Sequence, residues 1–355
     1  MTDPILVYGA TGYTAGLVIE RLLQQGVRPV LAARNETVLR ERALQVGLPY
    51  RVANLEPRSI AAALEGMRVM LNLAGPYLST AEPAAQACLE AGAHYLDVSG
   101  EVDAVAALAG KHAAARVRGV MLMPCTGFDV VPSDCLCAYV SRRLGEVHTL
   151  HIGVSGLELA SPGSLRTLVH ELGRQTRVWR AGALQELPPG TLSRSFDFGL
   201  GPRPCVAVSW GDVVTAPVTT GALNVEVYFE QTPSVAAFVQ YNRQFGWAHR
   251  SASSADWLQR FLPAGGSGPT AEQRAARTAT IVVEGRSVSG RGFGARLRTS
   301  EVYSLTAQTA ATIAKRVLDG DTEPGFQTPG RLFGADFILR FSGVTRTEQE
   351  ANSGS

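Results

Sequence analysis

Gly9, Gly12 and Ala15 recur at every third position of Gly9-Ala10-Thr11-Gly12-Tyr13-Thr14-Ala15, directly after the apolar run Ile5-Leu6-Val7-Tyr8. Glycine at 9 permits a tight turn, glycine at 12 lets a bulky anion reach the backbone, and alanine at 15 lets the next helix lie close on the strand. The first N–H groups of that helix carry partial positive charge. The anion such a turn suits is a diphosphate, and the ligand a dinucleotide. Arg34 stands 34 − 12 = 22 positions past Gly12. A site that prefers NAD has an acid near there for the ribose 2′-hydroxyl, whereas a planar guanidinium suits a 2′-phosphate. The pair predicts NADP(H) in preference to NAD, with a solvated strand-end arginine as the alternative for Arg34.

Hydride chemistry on such a cofactor needs positioning and a source for the proton. Tyr77 and His170 are the candidate acids. Tyr77 follows Asn72-Leu73-Ala74-Gly75-Pro76, and its other role is stacking beside the nicotinamide. His170 falls mid-helix in this reading, where a packing histidine is the alternative. Asp129 holds substrate or caps the helix that begins near Pro132. Glu101 reads as a first-turn helix residue more than as a base. Solvent is a further proton source. No Gly-x-Ser-x-Gly elbow and no Tyr-x-x-x-Lys pair is present, which weighs against a hydrolase and a short-chain reductase. Cys125, Cys135 and Cys137 lack a fourth ligand at zinc spacing, so no metal is expected.

The elements that must position these residues follow from the pattern. Strand-like runs at 5–8, 27–34, 50–52, 69–73, 94–98 and 120–123 alternate with helical stretches at 18–25, 35–47, 57–64, 79–91 (capped by Ser79) and 101–117. Alternation of this kind predicts an N-terminal Rossmann domain, a doubly wound parallel sheet, in an α/β protein. Ligands then sit beyond the carboxyl ends of the strands, which places Asn72, Ala74, Gly75 and Pro76 beside the nicotinamide half. From about residue 148 the pattern changes. Strands at 149–155, 206–208, 223–229, 280–285 and 295–299, with a helix at 164–179, predict a second α+β domain with a mostly antiparallel sheet. The expected division is 1–135 for cofactor binding, 136–318 for substrate and dimerisation, 319–344 returning to the first domain, and 345–355 as a disordered polar tail. Gly265–Pro269 reads as a surface loop, and the four tryptophans as second-domain core.

Composition agrees with a globular chain: 355 residues, 45% hydrophobic, 18% charged and a net charge of +2. That balance offers no footprint for nucleic acid and no membrane patch. No run of about 20 apolar residues and no basic leader after Met1 is seen, so a cytoplasmic protein without a membrane span is expected. Five cysteines at irregular spacing suggest buried, reduced thiols.

The motifs Gly9–Thr14, Asn72–Tyr77, Tyr95-Leu96-Asp97-Val98-Ser99-Gly100-Glu101 and Gly127-Phe128-Asp129-Val130-Val131-Pro132-Ser133-Asp134 resemble the saccharopine dehydrogenase-like NADP-binding oxidoreductases, and within them the branch of trans-acting enoyl reductases. Tyr303–Ala307 and Gly325–Gly330 are similar to the family's ending. Ser161-Pro162-Gly163-Ser164 stands where the family often has Ser-Gly-Gly-Thr, a departure at a shared substrate contact. The resemblance implies hydride transfer from NADPH to an activated C=C bond of a small, polyketide or lipid-like molecule, which a carrier protein presents in some cases. It also implies a homodimer through the second-domain sheet. The full cofactor set expected is Gly9, Thr11, Gly12, Tyr13, Thr14, Arg34, Asn35, Asn54, Leu55, Asn72, Ala74, Gly75, Pro76, Ser99, Gly127 and Phe128. Two alternatives stand beside this reading. One is imine reduction on an amino-acid-derived substrate, for which Arg166, Arg174, Arg177 and Arg180 are a candidate carboxylate clamp or a solvated face. The other is a redox sensor that binds the cofactor without turnover.

Overall fold

Ile5-Leu6-Val7-Tyr8 is apolar without a break because its strand, β1 (Ile5–Tyr8), is buried on both faces. The computed structural model describes residues 4–157, 172–249 and 268–350. In it β1 lies between β2 (Val30–Ala33) and β4 (Val69–Asn72), with Leu6 in register with Val30 on one side and Met70 on the other. β3 (Tyr50–Val52), β5 (His94–Asp97), β6 (Met121–Met123) and a late two-residue strand, β15 (Gly325–Phe326), complete a sheet in the order β15-β6-β5-β4-β1-β2-β3. Every pairing in it is parallel. This is the doubly wound order, with the switch between β1 and β4.

The intervening helices are α1 (Tyr13–Gln24), α2 (Glu36–Val46), α3 (Pro57–Leu64), α4 (Tyr77–Ala91), α5 (Val102–Gly110) and α6 (His112–Arg118). Two differ from expectation. α4 starts two residues before Ser79, with Pro76 as its N-cap, because the chain leaves the Gly75–Pro76 turn already helical. The alanine-rich stretch is two helices broken at Lys111.

The chain divides into two units, residues 1–131 with 303–332, and 132–302 with 333–355. The cut thus falls four residues before the expected one. In the second unit, α7 (Val131–Leu144) leads to β7 (Thr149–Ser155), and β8 (Thr176–Arg180), β9 (Ala183–Leu187), β10 (Ser193–Asp197) and β11 (Pro202–Ala207) follow. After α8 (Asp212–Thr220) come β12 (Asn224–Glu230), α9 (Pro233–Phe245), α10 (Ala271–Ala275), β13 (Thr278–Arg286) and β14 (Gly292–Ser300). With a last strand, β16 (Thr345–Gln349), the sheet runs β10-β11-β12-β7-β13-β14-β16, with β8 and β9 joined at β12, and only β7 with β12 is parallel. Gly285 lets α7 close on this sheet: a Cβ there would meet Val140 and Leu144 at 2.6 and 2.8 Å.

Helix α11 (Val302–Leu318) belongs to the first unit from Tyr303 onward, where the expected division gave it to the second domain. α12 (Pro329–Phe333) follows β15.

Other expectations are corrected. The stretch 164–179 is not one helix, since Thr176–Arg180 is a strand paired with β9 and β12. The tail is not wholly disordered. Residues Thr345–Gln349 form β16 on the edge strand β14, where Arg346 lies 3.6 Å over the Tyr139 ring and bonds Asp336 at 2.7 Å. Trp247 is 70% exposed and serves no core. His170, the Ser161–Ser164 run, Arg166, Trp257 and most of the Gly265–Pro269 loop lie outside the described residues. All five cysteines are buried and free. Among the described residues, no helix is long and apolar enough to cross a membrane and no cluster has the makings of a metal site.

Candidate active site

The turn after β1 is held by backbone bonds, Gly9 N and Ala10 N to Ala32 O at 2.8 and 3.1 Å and Gly12 N to Gly9 O at 3.0 Å. The two glycines are glycine for different reasons. Gly9 has φ +79°, and a Cβ on it would stand 2.7 Å from Ala74 N, so the protein itself demands it. A Cβ on Gly12 would meet only Gly9 O, at 3.4 Å. Among the described residues nothing requires glycine at 12, and the missing side chain leaves the backbone there open to approach from outside. Gly12 is also the N-cap of α1, with no capping side chain and no acid in the first turn. An unneutralised helix N-terminus behind an open glycine fits a diphosphate.

Gly9 brings this turn against Leu73 and Ala74 at the end of β4. Tyr13 stacks edge-on against Tyr303 of α11, with centroids 5.3 Å apart. Gly127 and Phe128, beyond β6, reach the same helix: Phe128 N donates to Thr306 Oγ1 at 3.0 Å, and a Cβ on Gly127 would meet Thr306 Cγ2 at 3.0 Å. Thus the ends of β1, β4 and β6 gather around the start of α11. Arg34 is exposed at the end of β2 and close enough to Tyr8 for its charge to act on that hydroxyl.

Several residues expected to touch the cofactor are occupied by the protein. Asn35 Oδ1 caps α2 by accepting from Val38 N. Asn54 Oδ1 accepts from Glu56 N, which shapes its own loop with Leu55 half-buried beside it. Asn72 is fully buried: Nδ2 donates to Tyr95 Oη at 3.1 Å and Oδ1 accepts from Ala74 N at 3.0 Å. Ser99 is buried, with its hydroxyl on Asp97 Oδ1 at 2.7 Å. These residues build the rim; Thr11, Gly12 and Gly75 are its exposed backbone.

Behind the rim lies a wall of acids. Asp97 ends β5 and is fully buried, accepting at Oδ1 from Ser99 N, Ser99 Oγ and Cys125 N and at Oδ2 from Tyr95 Oη. Burial raises its pKa although these bonds oppose the rise. The same bonds hold Cys125 at φ +61°, a conformation that costs a side-chain-bearing residue roughly 1–3 kcal/mol. Glu101 accepts from Tyr77 N at 3.2 Å and Gly100 N at 3.3 Å, and burial raises its pKa too. Asp129 lies across the bare face of Gly100, where a Cβ would stand 2.8 Å from Oδ2. Its carboxyl is pushed up to about 7, by burial first and then by the Glu101 charge. Of the three acids it alone keeps surface open, being half-buried. Tyr77 is buried beside them, and its hydroxyl is pushed well above its ordinary range by burial and by Asp97, Glu101 and Asp129.

The geometry therefore brings together Tyr77 and Asp129 and adds Glu101 and Gly100 to them. Glu101 sits one residue ahead of α5, where pattern reading takes it for a helix-start residue. Gly100, followed by an acid just past a strand end, was the available signal.

The saccharopine dehydrogenase NADP-binding domain family matches residues 5–122. A saccharopine dehydrogenase-like oxidoreductase of Homo sapiens is 27% identical over 213 residues, covering 52% of this chain and 49% of the relative. A trans-acting enoyl reductase of Mycobacterium ulcerans is 29% identical over 217 residues, covering 56% and 52%. The chain spans about half the length of the curated relatives it matches. Apo saccharopine dehydrogenase (L-Glu forming) from Saccharomyces cerevisiae shares the fold, with a TM-score of 0.62 over 98% of this chain and 99% of that one at 12% identity.

Proposed function

From the match of residues 5–122 to the saccharopine dehydrogenase NADP-binding domain family, we propose that the chain is an NADPH-dependent reductase of an activated C=C bond. Its substrate is a small, polyketide or lipid-like molecule. The observation that carries the reading is Asp129, a half-buried residue whose carboxyl is pushed up to about 7 beside Glu101 at the carboxyl end of the parallel sheet. NADPH, when bound, supplies the hydride that adds to the β-carbon. The chain supplies the rest. Gly12 and the first N–H groups of α1 bind the diphosphate, and Arg34 takes the 2′-phosphate. The acid wall keeps the Asp129 proton in place near neutral pH, and the carboxyl donates it to the α-carbon. Tyr77 is a wall of the site. Its raised pKa makes it a poor donor in this company. A relative named trans-acting enoyl reductase supports the C=C assignment.

One observation favours the imine reading: three carboxyls at one wall suit a cationic iminium better than an enolate. Against it, two of the four arginines of the expected carboxylate clamp are paired within the chain, and Arg166 lies outside the described residues. Arg177 pairs with Glu186 at 2.9 Å, and Arg180 with Glu226 at 2.6 Å. The test is oxidation of NADPH by the purified protein with a panel of enones, enoyl thioesters and cyclic imines. Turnover of an enone or enoyl thioester supports the proposal, turnover of imines alone replaces it with the second reading, and NADPH binding without turnover on any of them leaves a sensor.

A further inference from the structure

Arg42 lies outside every motif named above. It stands in the second half of α2, and its guanidinium folds across the first turns of α1: a Cβ on Gly16 would collide with Arg42 Nη2 and stand 3.5 Å from its Cζ. Gly16 sits inside a helix with ordinary backbone, so room for this guanidinium is the reason the structure offers for glycine there. Among the described residues, neither Arg42 nor Arg34 makes an ion pair or a side-chain hydrogen bond. Arg34 acts on Tyr8, the last residue of β1, and Arg42 lies on α1. Among the described residues, two cations without protein counter-ions thus lie one beside the last residue of β1 and one beside the first turns of α1, the two elements that the dinucleotide turn joins. A dianionic phosphate is the group that neutralises such a pair, since two guanidinium forks match its oxygens.

We propose that Arg42 is a second determinant of cofactor choice, holding the 2′-phosphate of NADPH together with Arg34. The inference rests on reading the turn as an NADP site. The test is titration of the full chain with NADPH and with NADH, followed by fluorescence, with 2′,5′-ADP and 5′-AMP as competitors. Arg42→Ala is expected to weaken NADPH and 2′,5′-ADP by about ten- to a hundredfold and leave NADH and 5′-AMP unchanged. Arg42→Lys keeps the charge but not the fork and should fall between. Gly16→Ala, which favours the helix, displaces the guanidinium and should weaken NADPH in the same direction. If Arg42→Ala lowers both cofactors equally, or neither, Arg42 only packs on α1 and the inference is overturned while the NADP reading stands. If the unaltered protein binds NADH as tightly as NADPH, the NADP reading itself fails and takes the inference with it.

Discussion

Gly9 and Gly12 look equivalent in the sequence, yet the fold treats them oppositely, and that difference is measurable. Gly9→Ala must place a Cβ at positive φ against the Ala74 backbone, and should cost about 2–4 kcal/mol in unfolding free energy. Gly12→Ala meets nothing closer than 3.4 Å; it should keep the melting temperature and lose NADPH binding in the same titration. Loss of stability in Gly12→Ala would mean that the residue serves the fold and not a ligand. For the acids, Asp129→Asn should lower kcat by about 10²–10⁴, whereas Tyr77→Phe should leave it within a few-fold. If Asp129 is the donor, as proposed, the rate of the unaltered protein should fall as pH rises through about 7, because the carboxyl must hold its proton to donate it. A rate that holds level to pH 9 excludes Asp129 as the donor. Tyr77 and Asp129 were legible as candidates from their places at strand ends. The ranking we propose was not legible, because it depends on Glu101 lying against Tyr77 and on Asp129 lying across Gly100, and no local spacing encodes those contacts. Arg42 was invisible for the same reason: its meaning comes from Gly16 on another helix.

The central strands of the first unit could be read from sequence because they are buried on both faces and therefore mostly apolar. β1, β4 and β5 end within a residue or two of where their apolar runs end. The same logic misleads where burial is one-sided. β16 carries Thr345, Arg346, Thr347, Glu348 and Gln349, a polar string that reads as tail. Its order comes from an edge: it pairs with β14, Tyr139 bonds Glu348, and Arg346 reaches both the Tyr139 ring and Asp336. Removing residues 345–355 should destabilise the second unit by about 1–3 kcal/mol through the lost ladder and ion pairs. Arg346→Ala should account for part of that. Chemical denaturation followed through Tyr and Trp fluorescence checks both, and an unchanged midpoint in the truncated chain would show that β16 contributes nothing. β8 was missed for a related reason. Arg177, Trp179 and Arg180 share helical spacing with the residues before them, and only pairing with β9 and β12 reveals a strand.

Among the described residues the shifted carboxyls divide by unit, raised in the first and lowered in the second. In the second unit, His151 on β7 sits 3.6 Å from Glu226 and is pushed down to about 4 by burial and by Arg194. A histidine whose folded pKa is depressed contributes stability above its ordinary value, 6.5; that stability drains away as pH falls towards 4. Glu226 and Asp336 are also lowered, by Tyr228 with Arg180 and by Arg346, and add to the loss below their ordinary values of 4.5 and 3.8. The first unit carries the reverse. Asp97, Glu101 and Asp129 are raised, so the folded state takes up protons before the unfolded one and gains stability as pH falls from about 7 towards 4. His94, lowered by burial, opposes this with a single group against three. Lowering the pH from 8 to 5 should therefore weaken the second unit while the first holds or gains. Amide exchange by mass spectrometry at the two values, corrected for the intrinsic rate, reads each unit separately. Peptides from 149–155, 224–230 and 278–286 should lose protection, and those from 5–8, 69–72 and 94–97 should not. His151→Gln should remove most of the loss, because it keeps a neutral polar side chain beside Glu226 and takes away the proton-binding ring. Uniform loss across both units would mean that these shifted groups do not govern the acid response.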